Sequence, residues 1–120
     1  MTAESQTVSV ALLKRAVETR DAKTLASLFA EDALLRIIDQ ENPPSKPRDL
    51  KGREAIATYY DDVCGRAMSH RIDAAIATDD ALSFTQLCTY PDGAKVFCAA
   101  MLELKGGKIV RQTSVQAWDS

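Results

Sequence analysis

Residues 81–104 alternate so regularly that they constrain the fold more than any other part of the chain. Leu82, Phe84, Gln86, Cys88 and Tyr90 fall on one side of the first run, and Val96, Cys98, Ala100, Leu102 and Leu104 on one side of the second. A two-residue period of this kind marks strands with one buried face. Between the runs, Tyr90-Pro91-Asp92-Gly93 predicts a type I turn with a bulge, because proline presets one dihedral and glycine accepts a positive φ. That turn pairs Tyr90 with Ala94 and Gln86 with Cys98, so both apolar sets share one face. Gly106-Gly107 turns a further hairpin into a third run, Ile109–Trp118, which carries Gln112, Ser114 and Gln116 at the same spacing. A buried amide without a partner costs about 1–3 kcal/mol. Gln86 on a dry face therefore predicts a partner, a water or a ligand beside it.

Upstream, Thr7 to Arg20 reads as an amphipathic helix with Val8, Ala11, Leu12, Leu13 and Ala16 inward. Asp21 caps a second helix over Ala22–Ala30 that buries Leu25, Leu28 and Phe29. Ala33–Asp39 is a β-rich run too short for a helix. Pro43, Pro44 and Pro47 make Gln40–Leu50 an exposed loop. A third helix runs from Arg53 to about Cys64, with Ala55, Ile56, Tyr59, Tyr60 and Val63 at helical spacing and Gly65 as its stop. His70–Thr78 alternates again, placing His70, Ile72, Ala74 and Ile76 on one side. The order ααβαββββ predicts an α+β fold in which three helices cover one face of a curved antiparallel sheet.

At 120 residues with 46% hydrophobic content the chain suffices for one domain, residues 1–120,. A net charge of −2 argues against a nucleic-acid partner, and no apolar run approaches the roughly 20 residues of a membrane span. Glu4 before the first apolar stretch and Lys14-Arg15 after it have the wrong polarity for a secretory leader, so a cytoplasmic location is expected. His70 is the only histidine and the three cysteines lack metal spacing, so neither a metal nor another cofactor is expected. Cys64, Cys88 and Cys98 read as reduced core residues.

The element order, with "LFAEDALLRI", "LKGREAIATYY" and "AAMLELKGGKIVRQTSVQAWD" at these places, resembles the nuclear transport factor 2-like superfamily, in its SnoaL-like and ketosteroid-isomerase-like branch. The resemblance spans about Val8 to Trp118 and implies a cystatin-like cone with a pocket between sheet and helices. It sets the register of the third run, with Val110, Gln112, Ser114, Gln116 and Trp118 inward. It also implies a homodimer through the outer sheet face, here Thr85, Leu87, Phe97, Ala99, Met101, Thr113, Val115 and Ala117. The isomerases' tyrosine and sheet acid fall on Leu13 and Ala100, and their base falls near Ile37, one inward step before Asp39. The histidine and aspartate of SnoaL-type cyclases fall on Ala100 and Ser114. Tyr60 matches a secondary pocket tyrosine of the isomerases.

Two candidate acid–base groups follow. Asp39 ends a strand with the inward parity of Leu35 and Ile37, where a carboxylate could take a proton from carbon next to a carbonyl; it serves equally as a turn residue. His70 shares parity with Ile72 at the pocket rim, where a neutral imidazole is a base or a hydrogen-bond donor. Candidate ligand-binding residues are Tyr60, Gln86, Gln112, Ser114, Gln116 and Trp118. These bind neutral polar groups, and the glutamines cannot transfer protons. The function expected is binding of a small organic molecule. The alternatives are a cofactor-independent isomerase, cyclase or lyase using Asp39, with or without His70, and a protein-interaction module.

Overall fold

A computed structural model describes residues 7–119; Glu4, on which the leader argument turned, lies outside them. The elements are α1 (Val10–Glu18), α2 (Ala22–Ser27), β1 (Phe29–Ile38), β2 (Arg48–Lys51), α3 (Arg53–Gly65), β3 (Ser69–Ala77), β4 (Ala81–Thr89), β5 (Lys95–Lys105) and β6 (Lys108–Trp118). All six strands join one sheet in the order β2-β1-β6-β5-β4-β3. The result is the expected α+β architecture, a curved sheet with three helices on one face.

The central hairpins form as the turn chemistry dictates. Gly93 takes φ 91°, Gly93 N–H donates to the Tyr90 carbonyl at 2.9 Å, and Tyr90 N–H donates to Ala94. Gln86 opposes Cys98 and Leu82 opposes Leu102. The buried set on β4 and β5 is Leu82, Phe84, Cys88, Val96, Cys98, Ala100 and Leu102, the face read from the alternation.

Several local expectations change. The proline segment ends in a short edge strand, β2, which pairs antiparallel with β1 and sets Arg36 opposite Asp49. The prolines precede the strand and so withdraw no hydrogen-bond donor from it, and an Arg36–Asp49 ion pair of 2.8 Å ties the two strands. The sheet is not wholly antiparallel, since β1 runs parallel to β6. Phe29 and Ala30 open β1 instead of closing α2, which stops at Ser27 and not at Ala30.

Bulges account for two further corrections, because an extra residue reverses the parity beyond it. A register shift between Glu103 and Leu104 sets Ile109 opposite Leu104, so fully buried Ile109 takes the inward place expected of Val110. Another, between Ile72 and Ala74, leaves Ile76 72% exposed. The Ile72 N–H freed there donates to Glu18 Oε2 at 3.0 Å. On α1 the helix starts at Val10, because Ser9 caps it by accepting from Leu12 N–H. Its buried face is Leu13, Ala16 and Val17, while Ala11 is exposed.

The main core joins Leu13, Ala16 and Val17 of α1, Leu25 of α2 and Ile56 of α3 to Phe29, Leu35, Ile37, Leu82, Phe84, Leu102 and Ile109 of the sheet. A second, smaller cluster of Met68, Cys88 and Val96 packs with Tyr90 and Trp118. Ile56 is the one fully buried residue of α3, and beyond it Tyr59, Tyr60 and Cys64 pack against the core while only partly buried. Leu102 belongs to this core and has no exposed surface. Leu102→Ala should cost about 2–5 kcal/mol, the range for truncating a fully buried leucine, read as a lowered urea midpoint at unchanged slope.

Candidate functional site

Between α3 and the concave sheet lies a cavity of about 220 Å³ whose wall draws on both hydrophobic clusters. Its apolar side includes Leu13, Val17, Leu28, Phe29, Ile37 and Phe84. Its polar side follows β6 and crosses to β5 and β4: Gln112, Ser114, Gln116, Cys98, Gln86 and Cys88. The register makes this stripe continuous, with Ser114 opposite Ala100, Gln116 opposite Cys98, and Cys98 opposite Gln86. Gln112 and Ser114 are the buried polar residues among those described.

The stripe is partly self-satisfied. Gln112 Nε2 donates to Ser114 Oγ at 3.0 Å, and Trp118 Nε1 donates to Gln116 Oε1 at 3.2 Å. Tyr59 and Tyr60 face it from α3 and meet edge to face, with centroids 5.2 Å apart. Burial pushes the Tyr59 phenol up to about 12, partly offset by hydrogen bonding with Gln116. Burial also raises Tyr60 well above the ordinary phenol range, against an opposing contribution from Gln112. Both hydroxyls therefore keep their protons near neutrality. Burial likewise pushes Cys88 up to about 12 and Cys98 up to about 11, so these thiols are not nucleophiles at pH 7.

All eight residues singled out from the sequence line this one cavity: Asp39, Tyr60, His70, Gln86, Gln112, Ser114, Gln116 and Trp118. Asp39 sits at the mouth and builds the turn after β1. Its Oδ1 accepts from the Glu41 and Asn42 backbone N–H groups and from Asn42 Nδ2, each at 2.9 Å. His70 places Nδ1 3.1 Å from Cys88 Sγ, while its Nε2 is buried with no partner. Burial, aided by the nearby Arg20 charge, lowers the imidazole below its ordinary value of 6.5.

Several wall residues carry no sequence signal of their own. Tyr59 lies on the helical stripe but reads there as core. Arg48, from the strand hidden in the proline segment, sets its guanidinium 5.4 Å from the Tyr59 ring centroid in cation–π geometry. Arg66 Nη1 contacts the Tyr90 hydroxyl at 3.3 Å and is held by Asp62, while Tyr90 stacks on Trp118 at 6.0 Å. Asp39, Glu41, Arg48 and Arg66 place the charges of the wall at its mouth; deeper in, every polar group is neutral.

Residues 10–112 match the SnoaL-like domain family model, and the chain belongs to that family. No curated protein matches it. Among solved structures it is similar to an NTF2-like protein of unknown function from Mesorhizobium loti, at TM-score 0.74 and 17% identity over 88% of this chain and 84% of that one. A proposed ketosteroid isomerase from Kribbella flavida aligns at TM-score 0.71 and 17% identity, covering 92% and 74% of the two chains. IdmH, a proposed polyketide cyclase from Streptomyces antibioticus, aligns at TM-score 0.64 and 22% identity, covering 89% and 88%. These likenesses establish the fold.

The imidazole makes a pH-dependent contribution. Below about 6.5 the unfolded chain takes up a proton at its histidine that the folded chain still refuses, so stability is lost as the pH drops through that window. An NMR titration should place the His70 midpoint below 6.5, and His70→Phe should flatten the acid limb of the stability profile.

Proposed function

We propose that this protein binds a small, uncharged, oxygen-bearing organic molecule inside the cone. The observation that carries the reading is the buried Gln112–Ser114 pair, continued by Gln116 and Gln86, lining a cavity of about 220 Å³. Buried amides and hydroxyls are retained where something polar meets them. A dry cavity of about 150 Å³ already takes benzene, so a substituted ring fits this one. A fully ionised ligand does not suit the deep wall, because no fixed charge there would offset its lost hydration. Tyr59 and Tyr60 add hydroxyl donors, and Trp118 with Tyr90 forms an aromatic end wall.

Gln112→Leu and Gln116→Leu should fold and should weaken retention of the bound molecule, whereas Asp39→Asn should leave binding intact. Native mass spectrometry of the purified protein reads both effects as the fraction carrying a small molecule. Protein that retains nothing and takes up no neutral ketone, lactone or alcohol from a screened library refutes the reading.

A catalytic variant rests on His70. Its imidazole is unprotonated near neutrality, which suits proton transfer at carbon next to a carbonyl once a shift of the ring bares Nε2, buried as it stands. Asp39 is less suited, because three hydrogen bonds commit its Oδ1 to the turn. In this variant His70→Phe abolishes turnover, and Asp39→Asn alters it little.

The outer sheet face supports a homodimer. Phe97, Met101 and Val115 are 44%, 64% and 48% exposed on neighbouring strands, with Ala99 and Ala117 beside them. A contiguous apolar surface of this kind suits a self-complementary interface. Sedimentation should give a dimer at micromolar concentration, and Phe97→Glu should give a folded monomer. A wild-type monomer at that concentration removes the proposal.

A further inference from the structure

One row of the concave face reads Gln86, Cys98, Gln116 across β4, β5 and β6, with Gln86 opposite Cys98 and Cys98 opposite Gln116. Neighbouring strands lie about 4.8 Å apart, so the two glutamines stand about 10 Å apart with one small thiol between them. The next row toward the core places Ala100 opposite Ser114, so the side chains adjoining Cys98 there are small too. All three residues of the row line the cavity. Gln112 and Ser114 are buried, whereas Gln86 and Gln116 keep accessible surface. Neither amide holds a buried atom without a partner, His70 Nε2 being the one such atom among the described residues.

The row presents donors. An indole N–H can only donate, and that of Trp118 meets Gln116 Oε1 at 3.2 Å, so the nitrogen of this amide faces away from Trp118. Burial raises the Tyr59 phenol, and hydrogen bonding with Gln116 opposes it. Burial likewise raises the Cys98 thiol, and hydrogen bonding with Gln86 and Ser114 opposes it. A bond that lowers an acid in this way favours its anion, so each amide is the donor. An amide nitrogen carries two hydrogens, and sulfur is a weak acceptor. Gln116 therefore has a second N–H to give, and Gln86 gains by exchanging sulfur for oxygen.

We propose that a carbonyl oxygen of the bound molecule sits over Cys98 and accepts one N–H from Gln86 and one from Gln116. A carbonyl takes two donors close to its own plane, one near each lone pair, whereas an ether oxygen carries carbon on both sides. The ligand class narrows from oxygen-bearing molecules to ketones, esters, lactones and amides. This inference rests on the binding function proposed above.

Acetophenone isotope-labelled at its carbonyl carbon reads the site directly by NMR, because hydrogen bonds to the oxygen move that resonance downfield. Bound to the wild type, it should lie downfield of its position in the Gln86→Leu/Gln116→Leu double variant, with each single variant between. Acetophenone should bind each single variant about 3- to 10-fold more weakly than the wild type, the ratio for one lost neutral hydrogen bond. Ethylbenzene, which has no oxygen, should bind all four proteins at least as tightly as the wild type. Gln86→Met and Gln116→Met keep the side-chain length without its donors and give the same readings where a leucine variant does not fold. A resonance that is the same in all four proteins, or that follows one glutamine alone, overturns the shared site and leaves the cavity standing. Ethylbenzene bound where acetophenone is not does the same. If neither compound binds the wild type, the binding function fails and the carbonyl site falls with it.

Discussion

The parallel ladder between β1 and β6 brings the two ends of the chain together, and the cavity depends on it. Leu35 lies beside Gln112 and Ile37 beside Ser114, so the apolar wall made by β1 adjoins the polar stripe of β6. The ladder also fixes what covers the sheet. β1 follows α2 directly, so the first two helices are carried over the concave face, where Leu13 and Val17 meet Phe29 and Ile109 in the core. On the other edge of β1, β2 leads into α3 through Gly52, whose φ of 90° lets the chain turn sharply into the helix.

A helix laid across a curved sheet cannot touch it everywhere. α3 meets the core at Ile56, and Tyr59, Tyr60 and Cys64 continue the contact while only partly buried. The gap is filled from the sides, by Phe29 against Tyr60 at 6.0 Å and by Arg48 over Tyr59. Close packing of the whole interior would need larger apolar residues where Ser114, Ala100 and Cys98 stand. Small and polar residues there exchange packing energy for a space with hydrogen-bonding walls.

Chemistry in that space is governed by low polarity without fixed charge. Burial keeps the phenols and thiols protonated and the imidazole neutral, so the wall offers donors and acceptors instead of ions. The charged side chains collect at the mouth, where water solvates them. Asp39 shows the difference position makes: its strand parity is that of the buried Leu35 and Ile37, yet one step beyond β1 its carboxylate is drawn into closing the turn.

Alternation and turn chemistry in the sequence determined the β4–β5 hairpin, its register and its buried face, because both signals are local and their periods are unambiguous. They also made Gln86 conspicuous on that face, and a family resemblance extended the polar stripe to Gln112, Ser114, Gln116 and Trp118. The bulges at Ile72–Ala74 and Glu103–Leu104 were illegible, since a bulge answers to the partner strand and not to the residues that contain it. The parallel partner of β1 and the edge strand after Pro47 were decided by long-range pairing. So were the approach of Tyr59 to the wall, the seat of Arg48 and the His70–Cys88 contact. Each of these depends on which residue ends up opposite which, and only the closed fold settles that.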